Sequence, residues 1–357
     1  MQPAPHYLSM HTPRSWKHSR STVCILSIDG GGIRGLIPAL VLDHLRGRLD
    51  ARGKTAEFHE LFNLMAGTST GGLIIIGLST PKPDPEDQER FVNQTALSID
   101  DIKEINLERG EVIFPRSTFR GLRRLGQVVH EKYSSEPIRD LMEELLGKAT
   151  LKDSLCHLLV TSYDMAKGTV FLFKNRPERK DRHRGDPNFY LKDIALAISA
   201  APTYFEPVQI QPIGHDGNSM CLVDGGIFAA NPAMCAYIEA RKTFLSAKRF
   251  LILSLGTGIV TKRYPCRDIN TWGYLEWVNP ARGAPLLNAM STGQCECVNH
   301  QLRKLPGVEY FRIDGELGEE HVQMDDTSPA NLASLKTAAQ RIILENEDSI
   351  EQFCRKL

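Results

Sequence analysis

Apolar residues in this chain fall in short blocks separated by glycine-rich turns. "VCILSI" at 23–28 is an uninterrupted run of the kind a strand buried on both faces requires. "DGGGIRG" follows. Beyond it Leu36, Leu40, Val41, His44 and Leu45 recur at helical spacing, with Pro38 in the first turn and Gly53 as a stop. "LFNLMAG" and then "TSTGGLIIIGLS" repeat the unit of strand, tight turn and helix. The run "GGLIIIGLS" is far shorter than the ~20 residues a membrane span needs, and reads as a buried helix.

"TPKPDPED" is a proline-rich surface connection, and residues 86–150 read as mainly helical, "EPIRDLMEELLG" being the clearest amphipathic piece. "HLLVTSYDM" and "TVFLFKN" read as strands joined by a turn at Ala166–Gly168. "YLKDIALAISAAPTYF" predicts a helix ending at Pro202, "CLVDGG" a strand, "NPAMCAYIEARKTF" a helix opened by Pro232, and "FLILSLGTG" the last core strand. Residues 260–357 hold loops, a short strand at "EYFRI" and helices, one of them over 329–345. Alternating strands and helices with apolar strands indicate an α/β fold with a largely parallel sheet.

Composition narrows the class. The 357 residues are enough for one large α/β domain or two smaller ones, and 41% hydrophobic with 24% charged is ordinary for a globular protein. Lys plus Arg number 43, balanced by 43 Asp plus Glu, which argues against a generally basic nucleic-acid binder. The first 22 residues lack the apolar core of a secretory signal and read as a disordered arm. Their Arg14, Lys17 and Arg20, with no acidic residue, leave a targeting peptide as the alternative. Without a secretory signal the eight cysteines read as reduced thiols, and the C-x-C pair Cys295 and Cys297 lacks the partners a zinc site needs.

Two motifs carry chemistry. "GGGIRG", Gly30 to Gly35, fits G-x-G-x-x-G and has three readings. A dinucleotide site would want an acidic residue roughly 20 positions later at a strand end, and Asp50 and Glu57 lie around a helix end instead. An oxyanion hole would use backbone N–H groups converging on a developing charge at a helix N-terminus. A plain tight turn is the third. "GTSTG" is a G-x-S-x-G elbow after an apolar run and before an apolar helix, which exposes Ser69 as a candidate nucleophile. Paired with the glycine loop it makes acyl transfer the leading chemistry.

Serine needs a base. His300 and His321 come late enough for a histidine triad, and His321 follows the "EYFRID" strand. A carboxylate acting directly is the other candidate. Asp224 ends the strand "CLV" before two glycines, and burial can raise a carboxyl from ~3.9 toward a useful range. Asp29 and Asp164 are its rivals.

"DGGGIRG", "GTSTGG", "SAAPTYF", "DGG" and "LSLGTG", in this order, closely resemble the patatin-like phospholipase family from about Val23 to Gly258. Plant patatins often read D-G-A where this chain has "DGG". The resemblance implies a three-layer α/β fold with a largely parallel central sheet between helices, plus a helical C-terminal extension. It divides the chain into the arm at 1–22, an acyl hydrolase core at 23–258 and a mainly helical extension at 259–357 packed on the core. It implies a serine–aspartate dyad with no histidine: Ser69 as nucleophile, Asp224 as base, and the N–H groups of Gly30, Gly31 and Gly32 as oxyanion hole. Arg34 would add positive charge beside the loop or hold its shape, and Asp29 becomes structural. The implied activity is hydrolysis of a lipid ester, such as a phospholipid or related glycerolipid, through an acyl-enzyme. No cofactor or metal is expected, and the chain has no calcium-loop motif. An acyltransferase on the same acyl-enzyme and a non-catalytic lipid-binding or storage protein are the alternatives.

The expected setting is cytoplasmic with peripheral membrane contact. The segment "FPRSTFRGLRRLGQVVHEKY" sets Arg116, Arg120, Arg123, Arg124 and Lys132 among apolar residues, a mixture that can lie at a bilayer surface or can be an ordinary solvated face.

Overall fold

The computed structural model describes residues 21–87, 90–114, 133–175, 187–214, 219–260, 263–279, 282, 284–318 and 323–357. The first unit is β1 (Thr22–Ile28), the glycine loop and α1 (Leu36–Asp50); the second is β2 (Leu64–Gly67), a tight turn and α2 (Thr70–Ser79). Helices α3 (Ile99–Glu108) and α4 (Glu136–Leu146) lead to β3 (His157–Asp164) and β4 (Thr169–Lys174). Then come α5 (Leu191–Ser199), β5 (Val208–Ile210), β6 (Met220–Asp224), α6 (Ala233–Thr243) and β7 (Arg249–Leu255). The C-terminal part adds α7 (Tyr274–Val278), α8 (Pro285–Lys304), β8 (Val308–Ile313), α9 (Pro329–Glu345) and α10 (Glu347–Lys356).

The strands form one sheet in the order β8-β7-β1-β2-β3-β6-β5, with β4 on the other side of β3. From β8 to β3 every pairing is parallel, while β4, β5 and β6 pair antiparallel. Side-chain alternation splits the core into two layers. Leu26 and Ile28 face the layer built with α1, α2, α5 and α9, whereas Val23 and Ile25 face Ala236 and Tyr237 of α6 and Leu302 of α8. The result is a three-layer α/β fold with a mostly parallel sheet between helices, as the sequence predicts.

Register is what builds the site. Ile28 pairs with both Gly67 and Leu255, and Gly67 pairs with Val160, so the loops after β1, β2 and β7 leave the sheet at one level. Strand β6 runs the other way beside the same side of β3 and stops with Asp224 opposite Ser162. The ends of β2 and β6 therefore approach head-on, at Val160 and Ser162 of one strand. Residues just past both ends must meet.

Three details depart from the sequence reading. The region 86–150 is not mainly helical from its start, because Phe91–Thr95 pairs antiparallel with Pro81–Pro83. The "FVNQT" run is aromatic and β-branched enough to extend beside the proline-rich segment. Helix α5 ends at Ser199, three residues before Pro202, with Ala200 already outside the helical region at ψ 61°. The strand expected at "EYFRI" forms as β8, but it joins the central sheet beside β7, so β7 is not the last core strand, and Phe353 of α10 packs edge-on against its Phe311 at 5.6 Å.

Candidate active site

The turn after β2 is tight enough to leave Ser69 at φ 53°, ψ −126°. Positive φ is uncommon for a residue with a Cβ and stores strain of order 1–3 kcal/mol. Thr68 holds the turn in place: its hydroxyl donates to the Ala229 carbonyl at 2.6 Å and lies 2.7 Å from the Thr161 hydroxyl, which must then be the donor of that pair. One side chain thus ties the serine elbow to β3 and to the loop after Asp224. The sequence reading missed Thr68 and Thr161, because nothing in the local sequence sets either threonine apart.

Asp224 is buried at the end of β6. Its N–H donates to Ala200, just beyond α5, and its Oδ1 accepts from the Gly226 N–H at 2.8 Å. Burial raises its carboxyl from the ordinary 3.8 to about 6, opposed by hydrogen bonds from the Ser69 side chain and the Gly226 N–H. A buried carboxyl titrating near neutrality and hydrogen-bonded to a serine can accept that serine's proton.

The glycine loop is sorted by which N–H groups are already committed. Asp29 donates to Leu255, Gly30 to Ala230 at 3.1 Å, and Ile33 to Met324 at 2.9 Å. The Gly30 carbonyl accepts from Thr257 Oγ1 at 2.8 Å. Among the described residues this leaves the N–H groups of Gly31 and Gly32 without a protein acceptor. Gly30, expected as a third oxyanion donor, is therefore corrected: its N–H is spent on Ala230. Both remaining positions require glycine. A Cβ on Gly31 would sit 2.3 Å from Thr257 Oγ1, and Gly32, at φ +58°, would put one 2.2 Å from the Met324 carbonyl.

Arg34 is buried beside the loop, and its Nε donates to the Gly31 carbonyl at 3.4 Å. Burial lowers its pKa, with the charges of Asp314, Tyr204 and Cys295 opposing. Asp29, the residue before the loop, is buried and ion-paired. Arg312 of β8 donates Nη1 and Nη2 to its two carboxylate oxygens at 3.0 and 2.6 Å, and Nη2 also reaches Asp314 at 2.6 Å. Burial pushes Asp29 up to about 6; Arg312 opposes the rise, and the nearby charge of Asp314 adds to it. Arg312 and Asp314 went unnoticed in the sequence, where "EYFRID" looks like any half-exposed strand.

Ser69, Asp224, Gly30, Gly31, Gly32 and Arg34 all line one cavity of about 560 Å³, a usual size for a small-molecule site. Leu73, Ile74 and Gly77 on one face of α2 form an apolar wall, and a Cβ on Gly77 would lie 3.3 Å from Ile102 and Leu97. Leu287, Met290, Gln294 and Cys295 of α8 line another part. Among the described residues no histidine lines the cavity. His300 is exposed on α8, away from it, and Asp164 instead accepts from Ala166 and Lys167 in the β3–β4 turn. His321 and the basic residues Arg116, Arg120, Arg123, Arg124 and Lys132 lie outside the described residues. Cys297 is exposed on α8, and no metal-binding group of three His, Cys, Asp or Glu residues occurs among the described residues.

Comparison with known proteins places the chain in a family. A family model for patatin-like phospholipase matches residues 26–237. Patatin-like protein 3 of Arabidopsis thaliana is 29% identical, the match covering 94% of this chain and 88% of the relative. Patatin-17 of Solanum cardiophyllum is 28% identical over 93% of this chain and 86% of its own. VipD from Legionella pneumophila aligns over 95% of this chain and 67% of its own at TM-score 0.41 and 11% identity, too distant to inform the site. The family match spans more than half the chain and includes both strand ends that meet at the cavity, so this chain belongs to the patatin-like phospholipase family.

Proposed function

We propose that the protein is a lipid acyl hydrolase that cleaves carboxylic esters through an acyl-enzyme on Ser69. The observation that carries the reading is the meeting of Ser69 and buried Asp224 in one cavity, beside two N–H groups with no acceptor among the described residues. Ser69 Oγ attacks the ester carbonyl carbon as Asp224 takes its proton. The carbonyl oxygen gains the negative charge and turns toward the N–H groups of Gly31 and Gly32. The intermediate then collapses, the acyl–oxygen bond to the alcohol breaks, and Asp224 returns the proton to the leaving alkoxide. Water, deprotonated by Asp224, attacks the acyl-enzyme, and the fatty acid leaves with Ser69 restored.

With its carboxyl held near 6, Asp224 is mostly ionised at neutral pH yet basic enough to accept a proton in the transition state. The apolar wall of Leu73, Ile74 and Gly77 suits an acyl chain and gives a polar substrate nothing to hydrogen-bond.

The test is release of fatty acid from a mixed extract of phospholipids and neutral glycerolipids, with products identified by mass. Wild-type protein should release fatty acid and Ser69→Ala should not. Added acceptor alcohols report on transfer: hydrolysis predicts free acid as the main product, while acylated alcohol in its place identifies an acyltransferase. No acyl product from any lipid class would reject the reading.

A further inference from the structure

Six of the sixteen exposed large apolar side chains among the described residues fall between 274 and 290: Tyr274, Leu275, Trp277, Leu286, Leu287 and Met290. Helix α7 buries none of its side chains, although four of its five residues are apolar. Ordering such a helix costs conformational entropy that no packed face offsets. It is nevertheless preformed. Trp272 stacks edge-on against Tyr264 and Trp277 at 5.0 and 5.4 Å, Arg282 sits 5.3 Å over the Trp272 ring, and the Tyr264 hydroxyl donates to the Arg282 carbonyl at 2.7 Å. The helix N-terminus is closed by Glu276, which accepts from the Gly273 N–H at 2.9 Å.

This surface runs into the mouth of the cavity. Leu287 and Met290 belong to both, being exposed outside and lining the space that holds Ser69. We infer that the face formed by α7 and the first turns of α8 docks on a lipid surface and passes substrate directly into the cavity, an inference that rests on the lipid-hydrolase reading. Its chemistry fits that partner. Tryptophan and tyrosine beside exposed leucine and methionine suit the boundary between head groups and acyl chains. The charges around it are Arg263, Arg267 and Arg282 against Asp268 and Glu276, a slightly basic rim compatible with anionic head groups. A protein partner or a second copy seated here would cover Leu287 and Met290 and close the route to Ser69. A lipid surface opens onto it instead.

The experiment compares Trp16→Phe protein, whose remaining tryptophans are Trp272 and Trp277, with the same protein carrying Tyr274→Ser and Leu275→Ser. Tyr274 and Leu275 are 78% and 74% exposed and do not line the cavity, so an unchanged Tm is expected. Binding to mixed phosphatidylcholine and phosphatidylglycerol vesicles is read by the blue shift of tryptophan emission and by flotation. The parent should bind with a blue shift. The double variant should lose about tenfold or more in vesicle affinity, the effect of removing two large apolar contacts, and lose turnover of vesicle lipid with it. Turnover of a short soluble ester should be unchanged. Ser69→Ala should keep full vesicle affinity, which separates docking from catalysis. Failure of the parent to bind, or equal affinity in the variant, would overturn the inference. So would a concentration-dependent dimer of the parent that the double variant abolishes.

Discussion

Replacing Asp224 by asparagine should inactivate the enzyme and stabilise it. Burial raises the folded-state carboxyl from 3.8 to about 6, so the folded chain holds this proton more tightly than the unfolded chain. Between those values the folded state binds more protons, and stability falls as pH rises; the contribution is fully present below 3.8 and lost above about 6. A rise of about two pH units at about 1.36 kcal/mol each puts the cost of the buried charge near 3 kcal/mol at alkaline pH. Asparagine carries no charge, has almost the same shape, and keeps an oxygen to accept from the Gly226 N–H at 2.8 Å. It also places an amide donor where Ser69 now donates. The expected gain at pH 8 is thus about 1–3 kcal/mol, shrinking to nothing below about pH 4, while kcat/KM falls by roughly 10²–10⁴. Urea denaturation across this pH range, beside ester turnover, reads both. Equal or lower stability of the variant at pH 8 would refute the buried-charge argument. Retained turnover would refute the role of Asp224 as base.

Wild-type kcat/KM on a soluble ester should rise with pH through a midpoint of about 6, since only ionised Asp224 accepts the proton; a midpoint that moves in His300→Ala would implicate the histidine. Gly31→Val should lower kcat by roughly 10²–10³ with little change in KM, because the new side chain collides with Thr257 and turns away one of two oxyanion donors; near-normal kcat in folded protein would remove that role. Gly77→Ala should fold, its gain of about 1 kcal/mol in helix propensity offset by a Cβ pressing at 3.3 Å on Ile102 and Leu97, and it should thicken the wall. Turnover of long-chain esters should then fall relative to short ones, and an unchanged chain-length profile would place the acyl chain elsewhere. Arg312→Ala strands Asp29 and Asp314 without their cation and should cost about 3–5 kcal/mol by denaturation at neutral pH; a loss under about 1 kcal/mol would show that the pair is not held as described.

The legible parts of this protein are those set by local pattern. The runs at β1, β2 and β7 are apolar because strands covered on both faces have no choice, and α2 is legible because "LIIIGLS" can only be buried. Ser69 and Asp224 could be named because a serine between glycines and an aspartate before glycines leave few geometries open. What no local pattern carries is register. That Ser69 and Asp224 touch follows from β2 and β6 stopping two residues apart along β3, a fact about pairing rather than composition. The same holds for Gly30, indistinguishable from Gly31 in sequence and disqualified only by the carbonyl of Ala230, 200 residues away. Arg312 was invisible for the opposite reason: its neighbours alternate like an exposed strand, and only the docking of β8 beside β7 brings it under Asp29 and Ser254.

The role proposed for Ser69, activated by Asp224, is to form the covalent bond to the acyl group. A fluorophosphonate tests it directly: the activated oxygen attacks phosphorus, fluoride leaves, and the protein keeps a stable phosphonyl adduct that peptide mass spectrometry locates. One adduct is expected, on Ser69, absent in Ser69→Ala, much slower to form in Asp224→Asn and unaffected in His300→Ala. An adduct on any other residue, or labelling of Ser69→Ala at the wild-type rate, would contradict it.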